Sequence, residues 1–517
     1  MRLLAITFIL LSACANQSIR IYDEFPKSGH YKESFEVRSN EYYQVLNTSI
    51  SGKKPLRIIS DFYTNQKIYS DIPTGPVNGL NQLKDFIWKK PNKISKLATC
   101  IKTNNKYYTY LHLDKRNVSL PIINLSINPS DFFSDSTGIY VPGKLYNANN
   151  WKGWWPSGNF SQKWKRKAFL QYFNPQGQLE FETDIKLKVV GFGVSGFPQK
   201  SLKLYFPKYT NKQMQHLSFI KTLDYTPRTL LLRNSGQDFV STHLRDVFAQ
   251  SLLDSSNVLY QKGQAVIVCI NGEYWGIKNI REKFDATNFK NKYQTKHIDI
   301  IENENEVISG SYDSFDTLMH YVRKHGLTKL ENYDWFCQNV DIENYIDYLI
   351  FQTFIANHDW PGVNQLRWKK SKSKDKWKWV AIDTDYSFGF DHMTHKGYDY
   401  NYNAFSNLLE ENGPNWPNPE WSTLIPRKLF ENKRFRELFK EKAVSQLETR
   451  YSPKRLTDQL DKWTSIYKQE MPYHIQRWQY PNSMDQWYKE LDHIKTFIKR
   501  RHPVYLTHLE EVINNYK

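Results

Sequence analysis

The sequence predicts an α+β protein in which a smaller β-rich part precedes a larger helical one. Three observations carry that reading. Short alternating runs dominate up to about residue 282, a strongly amphipathic stretch begins at Asp341, and most of the chain after Glu420 has helical periodicity. The 517 residues allow roughly two to four domains at about 150 residues each. Hydrophobic residues make up 40% of the chain, but 16 Trp, 34 Tyr and 30 Phe supply large buried areas, which excludes a wholly disordered chain. Mean hydropathy is −0.68. After residue 13 no apolar run approaches the ~18–20 residues of a membrane span, which excludes a polytopic membrane protein.

Element by element, residues 14–112 read as a small β-rich module. PLRIIS and KYYTYLHL alternate, and SGKK and PTGPVNG punctuate them. Residues 113–188 continue in strands and turns, with SLPIINLSINPSDFF and GIYVPGK. In KWKRKAFLQYFNPQGQLEFETDIKLKVV two strands flank the turn Asn174-Pro175-Gln176-Gly177. The region 198–282 mixes strands (KSLKLYF, AVIVCI, WGIKNI) with a helix from about Thr242 to Asp254. A helix over 342–357 follows, then a hairpin, QLRWKK–SKSKD–KWKWVAID. Residues 471–517 read as a C-terminal helical segment packing on the helical part.

Arg2, the apolar run Leu3–Leu11 and the Leu-Ser-Ala-Cys at 11–14 have the form of an export signal, over residues 1–13. Small residues directly before Cys14 resemble a bacterial lipobox. That predicts an exported lipoprotein anchored through lipid on Cys14, on a periplasmic or cell-surface face. The other three cysteines, Cys100, Cys269 and Cys337, show no metal-binding spacing, and the surroundings of Cys269 and Cys337 are those of small core residues. The excess of 71 Lys+Arg over 53 Asp+Glu gives a net charge of +18. The basic residues are scattered and form no nucleic-acid-binding signature, so no nucleic-acid partner is expected.

The chemistry is concentrated between 350 and 390. Asn357-His358-Asp359-Trp360-Pro361-Gly362-Val363-Asn364 follows the 342–357 helix as a loop. Asp359 and Asn364 have the D-x-x-x-x-N spacing of a kinase catalytic loop, where the Asp orients an attacking hydroxyl and the Asn oxygen holds a metal. Nineteen residues after Asn364, the apolar strand Val380-Ala381-Ile382 runs into Asp383-Thr384-Asp385, then Tyr386-Ser387-Phe388-Gly389. Period-two geometry puts both carboxylates on one side of an extended chain, and the hairpin returns them to Asn364. Such oxygen donors suit Mg²⁺ together with phosphate oxygens and water.

The segments NHDWPGVNQLRWKK and KWKWVAIDTDYSFG resemble the CotH family, the spore-coat protein H kinases. Agreement runs upstream through GFGVSGFPQKSLKLYF, LLRNSGQD–LRD and INGEYWGIKNIREKFD, and covers roughly 119–470. The resemblance implies an atypical protein-kinase-like two-lobed fold over 189–470, preceded by the β-rich N-terminal region. It implies an ATP-dependent protein kinase that moves the γ-phosphate to a Ser or Thr of a surface or coat protein, with ATP and Mg²⁺ or Mn²⁺ as cofactors. In that scheme Asp359 is the catalytic Asp, Asn364 and Asp383 are metal ligands, and Asp385 is a second ligand or its support. Lys200 contacts the ATP phosphates, Lys203 is the competing choice on the opposite face of its strand, and Glu282 sits near the lobe junction. Asn234 and Arg245 match family positions without an assigned role. Gly196, Ile277 and Val363 depart from the family pattern. The alternative is a catalytically weak or inactive kinase-like scaffold that binds surface polysaccharide or protein.

Overall fold

The computed structural model describes residues 20–515, apart from 33, 47–50, 54–55, 59–96, 105, 114–115, 153–154, 193 and 392–396. The export signal and Cys14 therefore lie outside the described residues. At the N-terminal end, a five-stranded sheet takes in Tyr107–Leu111, Ala98–Thr103 and Tyr43–Val45, and a three-stranded sheet takes in Arg20–Tyr22, Phe35–Val37 and Leu56–Ile58. Their shared core is largely aromatic, built on Phe25, Phe35, Tyr43 and Tyr110.

Seven strands then close into a barrel. Their spatial order is Arg166–Phe173, Leu179–Val190, Ser201–Tyr205, Thr229–Arg233, Glu273–Glu282, Gly263–Ile270 and Ile122–Ile127. Every pairing is antiparallel except Gly263–Ile270 with Ile122–Ile127. The alternation in Leu179–Val190 explains closure: Phe181, Ile185, Leu187 and Val189 fill the barrel, while Glu180, Glu182, Asp184 and Lys186 face outward. The Asn174–Gly177 turn joins the first two strands as its sequence predicts.

The strand Glu273–Glu282 is buried along its whole length because the barrel covers one face and the helices the other. A bulge opposite Ile267 and Cys269 shifts its phase. Gly276, at φ 86°, permits that shift: a Cβ there would lie 2.7 Å from the Trp478 indole nitrogen and 2.8 Å from His474 Nδ1.

A second five-stranded sheet runs Leu259–Tyr260, Lys378–Ala381, Gln365–Lys370, Ile298–Glu302, Glu306–Ser309. It packs on the helix Ile342–Phe354, which begins at the N-cap Asp341 and is buried from Asn344 onward. The remaining helices, ending in Met484–Asn515, enclose one continuous core around it. The architecture is the expected α+β. The helix expected over 242–254 is shorter, Arg245–Ser251, because Asp238 holds the backbone of Thr242 and Arg245 in a tight turn first. Cys100 and Cys269 are buried thiols, and Cys337 is half-buried. Among the described residues no helix is long and apolar enough to cross a membrane.

Candidate active site

The helix Ile342–Phe354 ends where Ala356 enters the left-handed region at φ 52°. The loop 357–364 then runs to the strand Gln365–Lys370. Asn364 closes it at φ 62°, a conformation Asn tolerates. The hairpin register pairs Gln365 with Ala381, which places Asn364 across from the end of the carboxylate strand. The return expected from sequence is therefore present.

Asp383 does not continue the strand. Its φ of 47° turns the chain, so the two carboxylates are not successive positions on one extended face. They converge for another reason: both accept hydrogen bonds from Arg233. The Arg233 Nη2 forms a very close pair with Asp383 and lies 3.2 Å from Asp385 Oδ2, while its Nε lies 2.9 Å from Asp246 Oδ2. Asp246 is fully buried on the helix Arg245–Ser251. It pairs with Arg281 at 2.8 Å and accepts both the Thr384 backbone N–H and its hydroxyl at 2.9 Å. Thr384, between the two acids, is thereby fixed. Burial pushes the Asp246 carboxyl up, yet Arg281 and Arg233 hold it well below the usual range.

Asp385 also accepts the Gln237 backbone N–H at 2.7 Å. This approach requires Gly236, at φ 63°: a Cβ there would sit 1.7 Å from Asp385 Oδ2. Burial and the Asp383 charge push the Asp385 carboxyl well above the ordinary range, against Arg233. Behind it, the buried Asp238–Arg245 pair anchors the next residues. Arg245 Nη1 donates to the Ser387 carbonyl at 3.0 Å and its guanidinium lies 4.5 Å from the Phe390 ring centroid.

Asp359 faces this cluster. Its Oδ1 accepts the Trp416 indole N–H at 3.0 Å. Burial first and the Asp383 charge second push its carboxyl up to about 7, with the Trp416 hydrogen bond acting in the opposite direction. Asp359, Asp383 and Asp385 thus lie within electrostatic reach of one another.

The expected phosphate and junction residues are engaged with other partners. The Lys200 amine is fully buried, donates to the Phe197 carbonyl at 2.8 Å and lies over the Phe160 and Tyr140 rings. Burial and the neighbouring Lys278 lower its pKa well below the ordinary lysine range. Lys203, on the opposite face, pairs with Asp285 at 2.5 Å. Glu282 is buried 3.8 Å from the Lys292 amine, and desolvation pushes its carboxyl up. The cation that the fold sets on the carboxylates is Arg233, not either lysine.

Arg233 and Asp246 fall inside the LLRNSGQD and LRD segments that resemble the family, but nothing local assigns them a role: Arg233 ends the apolar run TLLLR, and Asp246 sits in a short helix. A visible clue of another kind is Gly191-Phe192-Gly193-Val194-Ser195-Gly196, a G-x-G-x-x-G turn between two antiparallel strands, the spacing with which protein kinases cover phosphates. Phe192 is exposed at that turn, and Gly193 is outside the described residues.

Among the described residues no group of three or more His, Cys, Asp or Glu side chains is arranged to hold a metal. Mg²⁺ asks for less when phosphates and water complete its shell. Asp383 is 35% exposed at its side chain and engages Arg233 through Oδ1. Asn364 is half-buried, and its amide forms no hydrogen bond among the described residues. Asp383 and Asn364 are therefore the side chains here whose oxygens could hold such an ion, while Asp385 is held by Arg233 and the Gln237 N–H.

No curated protein matches this chain. Among solved structures, the crystal structure of a Helicobacter pylori proinflammatory kinase, CtkA, is similar over 56% of this chain and 92% of that one, at 10% identity and a TM-score of 0.29. The family model described as CotH kinase protein matches residues 187–505, more than half of the chain and including Asp359, Asn364, Asp383 and Asp385, and the protein belongs to that family.

Proposed function

We propose that this chain is an ATP-dependent protein kinase that transfers the γ-phosphate to a Ser or Thr hydroxyl of a surface or coat protein. The observation that carries the reading is the meeting of Asp359 with Asp383 and Asp385 at the end of one hairpin. A carboxyl poised near 7 suits a group that accepts the hydroxyl proton at neutral pH. Mg²⁺, when bound, would supply neutralisation of charge on the phosphate oxygens. Asp383 and Asn364 would hold it, Arg233 would keep Asp383 and Asp385 oriented, and Asp359 would orient the acceptor. The G-x-G-x-x-G turn at 191–196 supports a nucleotide on the barrel side. The N-terminal 14 residues support export and lipid attachment at Cys14.

The test is transfer of labelled phosphate from ATP, with Mg²⁺ or Mn²⁺, to co-expressed surface proteins. Asp383→Ala removes a metal ligand and should lower transfer on the order of 10³-fold while weakening metal-dependent nucleotide binding. Asp359→Ala should abolish transfer and keep nucleotide binding. The enclosed Lys200 amine favours a second reading, a kinase-like scaffold of low activity. Wild type that neither binds nucleotide nor differs from Asp383→Ala would establish that reading in place of the first.

A further inference from the structure

The catalytic loop is covered on one side by the segment 413–419, and the covering is built in. Gly362 N–H donates to the Pro417 carbonyl at 2.5 Å. A Cβ on Gly362 would meet that oxygen at 2.5 Å and Pro419 Cδ at 2.7 Å, so the two segments are in backbone contact. The buried Asn418 side chain ties the segment down by donating to the Asn407 carbonyl at 3.1 Å and to Glu410 at 2.7 Å.

Trp416 stands on this fixed base with 39% of its surface exposed, the only tryptophan among the large exposed apolar side chains of the described residues. A packing role does not account for it. Its indole N–H is a donor with no acceptor capacity, and it points at Oδ1 of Asp359. With Oδ1 so engaged, Oδ2 is the Asp359 oxygen without a hydrogen-bond partner among the described residues. Third-group orientation of a catalytic base is a recurrent device in proton-transfer sites.

We propose that Trp416 is the positioning residue of the acceptor half-site: its indole N–H holds Asp359 with Oδ2 presented to the acceptor hydroxyl. The inference rests on the phosphotransfer reading above. In the step it serves, the acceptor oxygen forms the new bond to the γ-phosphorus and its proton passes to Asp359. The bond from that phosphorus to the β–γ bridging oxygen of ATP breaks, and its electron pair leaves with ADP. The groups facing Asp359 are Asp383 and Asp385 from the hairpin end, with Arg233 bound to both.

The experiment compares wild type, Trp416→Phe, Trp416→His and Asp359→Ala in Mg²⁺-ATP transfer to a degenerate Ser/Thr peptide pool, across pH 5.5 to 9, with phosphate release to water measured in parallel. Trp416→Phe keeps a ring at an exposed site and removes the N–H. Its kcat should fall about 10-fold, the size expected for one hydrogen bond to a charged group. The half-saturating ATP concentration should stay within about twofold, and the acid limb of the pH–rate profile should move to higher pH because a hydrogen bond to the charged form is gone. Trp416→His, which restores a ring N–H, should recover part of kcat. Trp416→Phe with wild-type kcat and pH limb overturns the positioning role while leaving the kinase reading standing. Wild type inactive toward both peptides and water, and equal to Asp359→Ala, overturns the kinase reading and the positioning role with it.

Discussion

Replacing Arg233 by Met tests whether one guanidinium holds the site together. Arg233 is the shared partner of Asp246, Asp383 and Asp385. The three acids do not lose equally when it goes. Asp246 keeps Arg281 at 2.8 Å, and Asp383 is 35% exposed and can hydrate. Asp385 is buried and, among the described residues, keeps only the Gln237 N–H. Breaking a buried pair from one side costs about 3–5 kcal/mol, and with one hydrogen bond retained the lower end, about 3 kcal/mol, is expected here. That is a large share of the ~5–15 kcal/mol that stabilises a typical protein. The loss should depend on pH. Burial and Asp383 already raise the Asp385 carboxyl, and removing Arg233 removes what opposes them. An acid whose folded-state pKa is raised above the unfolded one contributes stability that is full below the unfolded value, ~3.9, and is lost as pH rises through the folded value. The loss of the Asp246 pair is already present at pH 5, and the Asp385 contribution adds to it as pH rises, so the gap between wild type and Arg233→Met should widen from pH 5 to pH 8. Urea unfolding followed by tryptophan fluorescence at both pH values measures it. Adding Asp385→Asn to Arg233→Met should restore most of the loss at pH 8. A variant as stable as wild type at pH 8, or a gap that does not widen between the two pH values, refutes the reasoning.

Three further outcomes are expected. Transfer activity should rise with pH through an acid limb near 7, because Asp359 must be ionised to take a proton and its carboxyl is pushed up to about 7; a limb near 4 in a pH–rate profile would contradict this. Lys203→Ala should leave nucleotide affinity within about twofold but cost about 1–3 kcal/mol in a denaturant titration, since Asp285 loses its 2.5 Å partner while still capping the helix Ala286–Lys292. Cys14→Ser should release the protein from membranes or block its processing, read by fractionation and mass of the N-terminus; continued attachment with an unchanged N-terminus would remove the lipid-anchor proposal.

Much of the placement of the candidate site residues was legible in the sequence because it is local. Asp359 and Asn364 lie in one loop, and the hairpin that joins them to Asp383 is short enough for its register to follow from its alternating apolar residues. The α+β order is legible for the same reason: periodicities of 2 and 3.6 are properties of consecutive residues. What lies across long loops is not. Arg233 meets Asp383 and Asp385 from 150 and 152 positions away, through the closed barrel and the packing of the short helix that carries Asp246. The same closure settles the lysines. Strand alternation correctly places Lys200 and Lys203 on opposite faces. It does not say that the first face is sealed by Tyr140 and Phe160, or that the second meets Asp285. The rise of the Asp359 carboxyl to about 7 belongs to this second class as well. Residue identity fixes which groups carry charge. Desolvation and the spacing of like charges, which exist only once distant segments pack, fix where each group titrates and which partner it faces.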